Sequence, residues 1–458
     1  MSEGETKTAI QKENRTPEQL FSKASEIVRG IYKVGPYSQS SIHIEVGGVN
    51  KNPFEHPSFQ EQSILLETFK DGNKIIVVNP VHGNEPYILA TNVALSINEI
   101  LKQAGVPEAD VVVPLLYPGR QEKILKEEFS AHTGRIFLDS KLGDLFKQIL
   151  FKDGRFDDHL LSIVQNQERL QNEIRNYLSR EFKATSLATS EIREFNGRDI
   201  ALDINAGSRF LTSSDSYYVF PALFSEILQE VTKTNLPFDR NLLNAAQRVA
   251  SDMEEQYRAK FIPQINTFSF KDKHPKKDKT FIPPLKHPMR PSQNIEEKSL
   301  YVVASGTGSQ VNTVLRSAQE LGLKIYRSPF INLDYGEAAL PDIVYHPNVV
   351  AVFGRMGWGT GWLSQQAGKP FIVPPYEFPD DPEVFFNIKT LRKMRLGRVY
   401  QGQKDIIRKA LELTGDIQEL NSAIYQQFGT MDGIDFVAQK IVEDLHRKRK
   451  ELSDRLKP

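Results

Sequence analysis

Cysteine is missing altogether from the 458 residues. Its absence excludes disulfides, thiolate metal sites and a cysteine nucleophile, and is compatible with a reducing compartment. Net charge is missing too. Lys+Arg and Asp+Glu each number 58, so no global field draws the protein onto nucleic acid or an anionic bilayer, and only a local patch could do so. No apolar run approaches the roughly 18–20 residues that span a bilayer. Residues 1–17 are polar and mixed in charge, without the basic start and apolar core of a secretory signal; they read as a flexible tail. These absences lead us to expect a cytoplasmic protein with no nucleic-acid partner.

What is present is ordinary for a globular protein: 39% hydrophobic and 25% charged residues. The chain is too long for one compact core, so two domains are expected. A buried-strand signal at residues 74–79 (KIIVVN) is followed by a loop at 80–86 and a helical pattern over 87–104, with Ala90, Val93, Ala94, Ile97, Ile100 and Leu101 on one face. Asn84 suits the cap, Pro86 the first turn and Gly105 the stop. A second strand over 110–116, a loop at 117–120 and another helix complete a βαβ series, which implies a parallel sheet. The stretch 157–261 is mostly helical in pattern, with a less regular part at 196–216, so the first domain over 18–261 carries a helical insertion. Residues 262–297 are rich in Pro and Lys without a sustained apolar period, and read as a linker.

A second βαβ series opens at 300–304 (LYVVA), continues through a loop at 305–309, and fills 298–430 as the second domain, with further strands at 324–326, 349–353 and 370–373. A last helix near 435–450 leads us to expect that 431–458 packs back toward the first domain. The fold class expected is α/β, two such units facing a cleft.

Chemistry concentrates after the strand at 349–353, in the run FGRMGWGTG. Gly354, Gly357, Gly359 and Gly361 leave backbone N–H groups uncovered, and a helix starting near Gly361 would add its dipole to an anion site. Thr360 offers a hydroxyl. Position after a strand, with a matching loop at Gly306, Thr307 and Gly308, favours phosphate binding over a bare turn.

Residues 353–397 resemble the donor-binding half of GT-B glycosyltransferases, nearest to the lipid-linked N-acetylglucosaminyltransferase and UDP-glycosyltransferase type. Gly357, Gly359, Thr360, Gly368, Lys369, Pro370, Pro374, Asp381, Asn387 and Gly397 match that pattern in order. The resemblance extends more weakly to residues 306–308, and the loop His82–Pro86 is similar to the acceptor-facing loop after the family's first strand. It implies two Rossmann-like domains, a nucleotide-sugar co-substrate (UDP-sugar) with no resident cofactor, and metal-independent, inverting transfer to an unidentified acceptor. It also implies donor contacts from Gly306, Thr307, Gly308, Arg355, Gly357, Gly359, Thr360, Asp381 and Asn387. Arg355 stands where the family has a His; its fixed charge suits a diphosphate. Leu363 stands where the family keeps a ribose-binding Glu, and Glu383 and Val384 where it keeps the Gln pair that reads the sugar.

Transfer needs a base for the acceptor hydroxyl. His82 is one candidate, with an ordinary pKa of about 6.5, and Glu85 is the other; each also has a purely structural reading. Trp358 and Trp362 read as packing before stacking. For Asp381, an N-cap competes with a sugar contact. Asp380–Asp381 lacks a second ligand cluster, so no metal site is expected. The basic residues over 271–290, interleaved with Phe268, Phe270 and Phe281, read as a solvated linker or as a peripheral membrane contact. Two other readings remain: a non-hydrolysing nucleotide-sugar epimerase, and an inactive nucleotide-sugar binding protein.

Overall fold

The structure, a computed structural model, describes residues 69, 74–81, 83–149, 156–271, 279–303, 308–329, 331 and 335–455. The expected tail and His82, Gly306 and Thr307 therefore lie outside the described residues. The first apolar run forms β1 (Ile75–Pro80), buried over its whole length. It leads into α1 (Glu85–Gln103), which turns Ala90, Val93, Ala94, Ile97 and Leu101 inward. Pro86 sits in the first turn, where its missing N–H costs no helical bond. Asn84, expected to cap, makes no side-chain capping bond.

β2 (Asp110–Pro114), α2 (Arg120–Glu128), β3 (Ile136–Asp139), α3 (Ser140–Lys147) and α4 (Phe156–Leu178) follow. Within the stretch expected to be mostly helical, four strands stand between α4 and the later helices: β4 (Glu181–Ser186), β5 (Ile192–Asn196), β6 (Ile200–Ala206) and β7 (Ser216–Val219) precede α5 (Phe224–Val231) and α6 (Arg240–Glu254). β6 hides from an apolar count because Asp203 and Asn205 interrupt it. Both are fully buried and stay there because they are bonded. Asp203 accepts from Thr212 N and Ser213 N at 2.9 Å, and Asn205 donates to Phe210 O at 2.8 Å, which offsets the cost of burying them. Burial still pushes the Asp203 carboxyl up to about 6.

The expected linker needs a sharper correction. It contains the end of β8 (Ala259–Pro263) and the whole of β9 (Lys279–Ile282), and β9 pairs parallel with β8. The intervening residues dock on the second domain. Trp362 Nε1 donates to Ile265 O at 2.9 Å, and Thr390 Oγ1 donates to Thr267 O at 3.0 Å. Short strands flanked by Pro and Lys carry too few apolar positions to show a period, so composition alone suggested a tether.

The second domain runs through β10 (Ser299–Val302), α7 (Gly308–Glu320), β11 (Lys324–Arg327), β12 (Glu337–Ala338), β13 (Val349–Phe353), α8 (Trp358–Gln366), β14 (Phe371–Val373), α9 (Pro382–Lys393), β15 (Gly397–Val399), α10 (Ile406–Leu411), α11 (Thr414–Phe428) and α12 (Gly433–Arg455). Gly397 is there because β15 crowds β14: a Cβ at Gly397 would lie 1.8 Å from Phe371 O. The last helix returns to the first domain. Ser96 Oγ on α1 donates to Asp435 Oδ1 at 2.7 Å, and Tyr217 OH on β7 donates to Asp444 Oδ2 at 2.9 Å.

The first sheet has the order β5-β4-β3-β2-β1-β6-β7-β8-β9, parallel except where β4 pairs antiparallel with β3 and β5. The second is parallel throughout, in the order β12-β11-β10-β13-β14-β15. Each therefore reverses its winding once, between β1 and β6 and between β10 and β13. In open α/β sheets the crevice beyond the carboxyl ends of the strands at such a reversal is where ligands sit.

Candidate functional site

The reversal in the second sheet carries the glycine-rich run. Past β13 the chain reaches Gly357, which occupies the N-cap of α8 and makes no side-chain capping bond. The helix begins at Trp358, three residues earlier than expected, so Gly359 and Thr360 lie within its first turn. The first intrahelical bond runs from Gly361 N to Gly357 O at 2.9 Å. The N–H groups of 358–360 have no acceptor among the described residues, and they point their partial positive charge out of the helix start.

What faces this turn comes from the other domain. A Cβ at Gly359 would lie 2.0 Å from Cδ and 2.4 Å from Oε1 of Glu85, so glycine is what lets the Glu85 carboxylate rest on the helix. Glu85 is in the first turn of α1, at the reversal of the first sheet. The two reversal points thus meet directly. A cation completes the group: Lys286 Nζ lies 3.7 Å from Glu85 Oε1, on a side chain that is only 9% exposed. Glu128, near the end of α2, feels both charges; burial raises its pKa, Lys286 lowers it and Glu85 raises it further.

Other residues expected to touch the donor are engaged within the protein. Asp381 is an N-cap, accepting from Glu383 N at 2.8 Å at the start of α9. Asn387 accepts from Trp358 Nε1 at 2.7 Å and donates to Glu383 Oε1 at 3.1 Å, which ties α9 to α8. Arg355 directs its fork at Asp380, Nε at 3.0 Å and Nη2 at 2.6 Å from the two carboxylate oxygens. Trp358 and Trp362 stack at 5.6 Å and are both buried, so they pack. Leu363 is buried as well. Burial and the neighbouring Asp381 push Glu383 up to about 7. Arg209, beyond β6 in the first domain, lies over the Phe224 ring at 3.5 Å and within electrostatic reach of Asp381 and Glu383. Gly308 opens α7.

The basic segment is turned inward where it is described. Lys271 pairs with Glu230 and Lys279 with Glu226, while Phe268 and Phe270 pack on Phe386 at 5.5 and 6.1 Å. That engages Lys271 and Lys279 within the protein, while Arg290 is exposed and residues 272–278 lie outside the described residues. No helix among the described residues is long and apolar enough to cross a membrane.

One grouping among the described residues has metal-ligand spacing: His287, Asp432 and Asp435. Its atoms already have partners. Asp432 Oδ1 accepts from Ile434 N and Asp435 N, Asp435 accepts from Ser96, and His287 Nδ1 is 2.8 Å from Asp432 Oδ2. Burial draws the His287 pKa down, but the two carboxylates outweigh it and raise it to about 9. The group reads as an ion-paired clasp between the crossover segment, α12 and α1.

Lys286 was invisible as a site residue in sequence because it fell in the Pro/Lys-rich stretch. Its signal was a Lys directly after the apolar run IPPL.

No family model and no curated protein matches the sequence. Solved structures do match over most of its length. UGT89C1 of Arabidopsis thaliana, complexed with UDP-L-rhamnose, is 12% identical, with 82% of this chain and 99% of that one covered and a TM-score of 0.52. The chain has the GT-B fold. UGT2 of Phytolacca americana, complexed with UDP-2fluoro-glucose and pterostilbene, is 11% identical over 83% of this chain and all of that one, with a TM-score of 0.51. A UDP-glucosyltransferase from Polygonum tinctorium capable of glucosylating indoxyl gives 12%, 82%, 99% and 0.50. The expected helical insertion of this GT-B chain narrows to α4, which is followed by the β4–β5 hairpin.

Proposed function

We propose that the protein transfers a sugar from a nucleotide-sugar donor, UDP-sugar in the first place, to an acceptor hydroxyl, inverting the anomeric carbon without a metal. The observation that carries this reading is the uncapped glycine-rich turn of α8, set at the reversal of the second sheet and against that of the first. Sugar transfer leaves a diphosphate whose charge grows as the glycosidic bond breaks. Amides fixed at a helix start stabilise that charge without reorganising. Residues 306–308 supply the second loop on the donor. The acceptor enters at the junction of β1 and α1, where His82 or Glu85, the latter in the first turn of α1, takes its proton.

The solved structures complexed with UDP-L-rhamnose and with UDP-2fluoro-glucose support a UDP donor. The nucleotide-sugar is a co-substrate, and no resident cofactor enters the scheme. We place the enzyme in the cytoplasm, in keeping with a sequence that has no cysteine. A second reading, a nucleotide-sugar binding protein without turnover, is favoured by Leu363, which leaves the ribose without its usual carboxylate. Calorimetric titration with UDP, GDP and ADP tests the donor site: UDP binds, and silence from all three would sink both readings. Turnover then separates them, with His82→Ala expected to lose at least about a hundredfold if His82 is the base.

A further inference from the structure

Residues 283–290, the crossover between the two sheets, belong to no strand or helix, yet they bring Lys286 to the point where the two sheets' reversals meet. The residue is held firmly. Its carbonyl accepts from Gln366 Nε2, at the end of α8, at 2.8 Å, and its N–H donates to Pro284 O at 2.8 Å. The residue is 7% exposed, but its ammonium has no hydrogen-bond acceptor among the described residues. Its ion-pair partner there is Glu85, at 3.7 Å, longer than a charge-assisted hydrogen bond of about 2.7–2.9 Å. The stem is buried, but the ammonium itself is not among the buried unpartnered polar atoms, so an anion arriving there can reach it and bind it more closely than Glu85 does. The same carboxylate lies on Gly359, where the amides of 358–360 are also without acceptors. Two independent electropositive groups, an ammonium and a helix start, converge on one carboxylate that neither binds at full strength.

We propose that Lys286 binds the donor's diphosphate, and that Glu85 is a stand-in anion which the diphosphate displaces. This rests on the donor-site reading given above and names the cation it requires. Arg355, the cation expected at the diphosphate, points its fork at Asp380 in an exposed pair, and Lys286 supplies a further cation directly at the turn of α8. Two phosphate groups carry more charge and more acceptor oxygens than one carboxylate, so exchange gains hydrogen bonds at both the ammonium and the amides. Glu85, once displaced, is left beside the departing anion and facing the acceptor side.

The test titrates inorganic pyrophosphate, UDP and uridine into the full-length protein and into Lys286→Ala, Lys286→Met, Lys286→Arg and Glu85→Gln. Lys286→Ala and Lys286→Met weaken pyrophosphate and UDP by at least about tenfold, about 1.4 kcal/mol, and leave uridine unchanged. Lys286→Arg retains most of the affinity. Glu85→Gln tightens pyrophosphate several-fold, and it removes no cation, so it reads the exchange even if a Lys286 variant folds poorly. UDP binding that ignores every Lys286 substitution overturns the assignment and leaves the donor reading standing. Lys286-dependent pyrophosphate binding without UDP binding keeps the anion site and removes the nucleotide reading. Glu85→Gln that weakens pyrophosphate overturns the displacement.

Discussion

Two helices of the second domain start on the same edge of its sheet, and they start differently. α9 is closed by its own side chain: Asp381 accepts from Glu383 N, and Pro382 removes one orphan donor. α8 has glycine at its cap and no side-chain cap; the carboxylate at its first turn belongs to the other domain. A helix that satisfies its own amides offers little to an anionic ligand. One that leaves them uncovered, at a reversal in the sheet, keeps that capacity for something that arrives. The difference separates a helix start closed by its own side chain from one left open within a single family-like motif.

The comparison breaks most severely if α8 loses its platform. Trp362 is buried, stacks on Trp358 and donates to Ile265 O. Trp362→Ala is expected to cost about 3–5 kcal/mol, read from urea unfolding followed by far-UV circular dichroism. A loss below 1 kcal/mol would mean that the crossover segment does not hold α8 in place.

The charge at the start of α9 gives the next largest effect. Glu383 has a folded pKa raised to about 7 by burial and Asp381. A raised carboxyl contributes stability below its unfolded value near 4.5 and loses it as pH rises through 7. Glu383→Gln should therefore match the wild type near pH 4.5 and exceed it by about 3 kcal/mol at pH 8. Equal stability at both pH values would show that Glu383 ionises freely.

Asp381→Ala sharpens the contrast at the smallest cost. It removes one cap, worth about 1 kcal/mol, and should leave UDP affinity unchanged. A tenfold loss of UDP binding without a change in stability would return Asp381 to the donor.

Much of the fold was legible because the strands at 74–79 and 349–353 are continuous apolar runs bounded by loops that break helices. The glycine turn was legible for the same reason. β6 was not, because its buried Asp203 and Asn205 look like surface residues until the loop that bonds them is in place. β9 and Lys286 were not, because their burial depends on partners far away in sequence. Arg355, Asp381 and Asn387 show the reverse: their types suited a ligand, and the fold engages them with Asp380, Glu383 and Trp358. Spacing identifies which residues gather at a sheet edge, but not which of them are left unsatisfied.

The central claim is that the uncapped turn of α8 binds the donor's diphosphate. Calorimetric titration of UDP into the wild type and into Gly359→Asp tests it directly, because the new carboxylate would sit on the amides in place of a ligand. The account predicts UDP binding to the wild type and at least about tenfold weaker binding to the variant, in which the flexible Glu85 side chain has to swing off the helix start. Equal UDP affinity in a folded Gly359→Asp protein would contradict it.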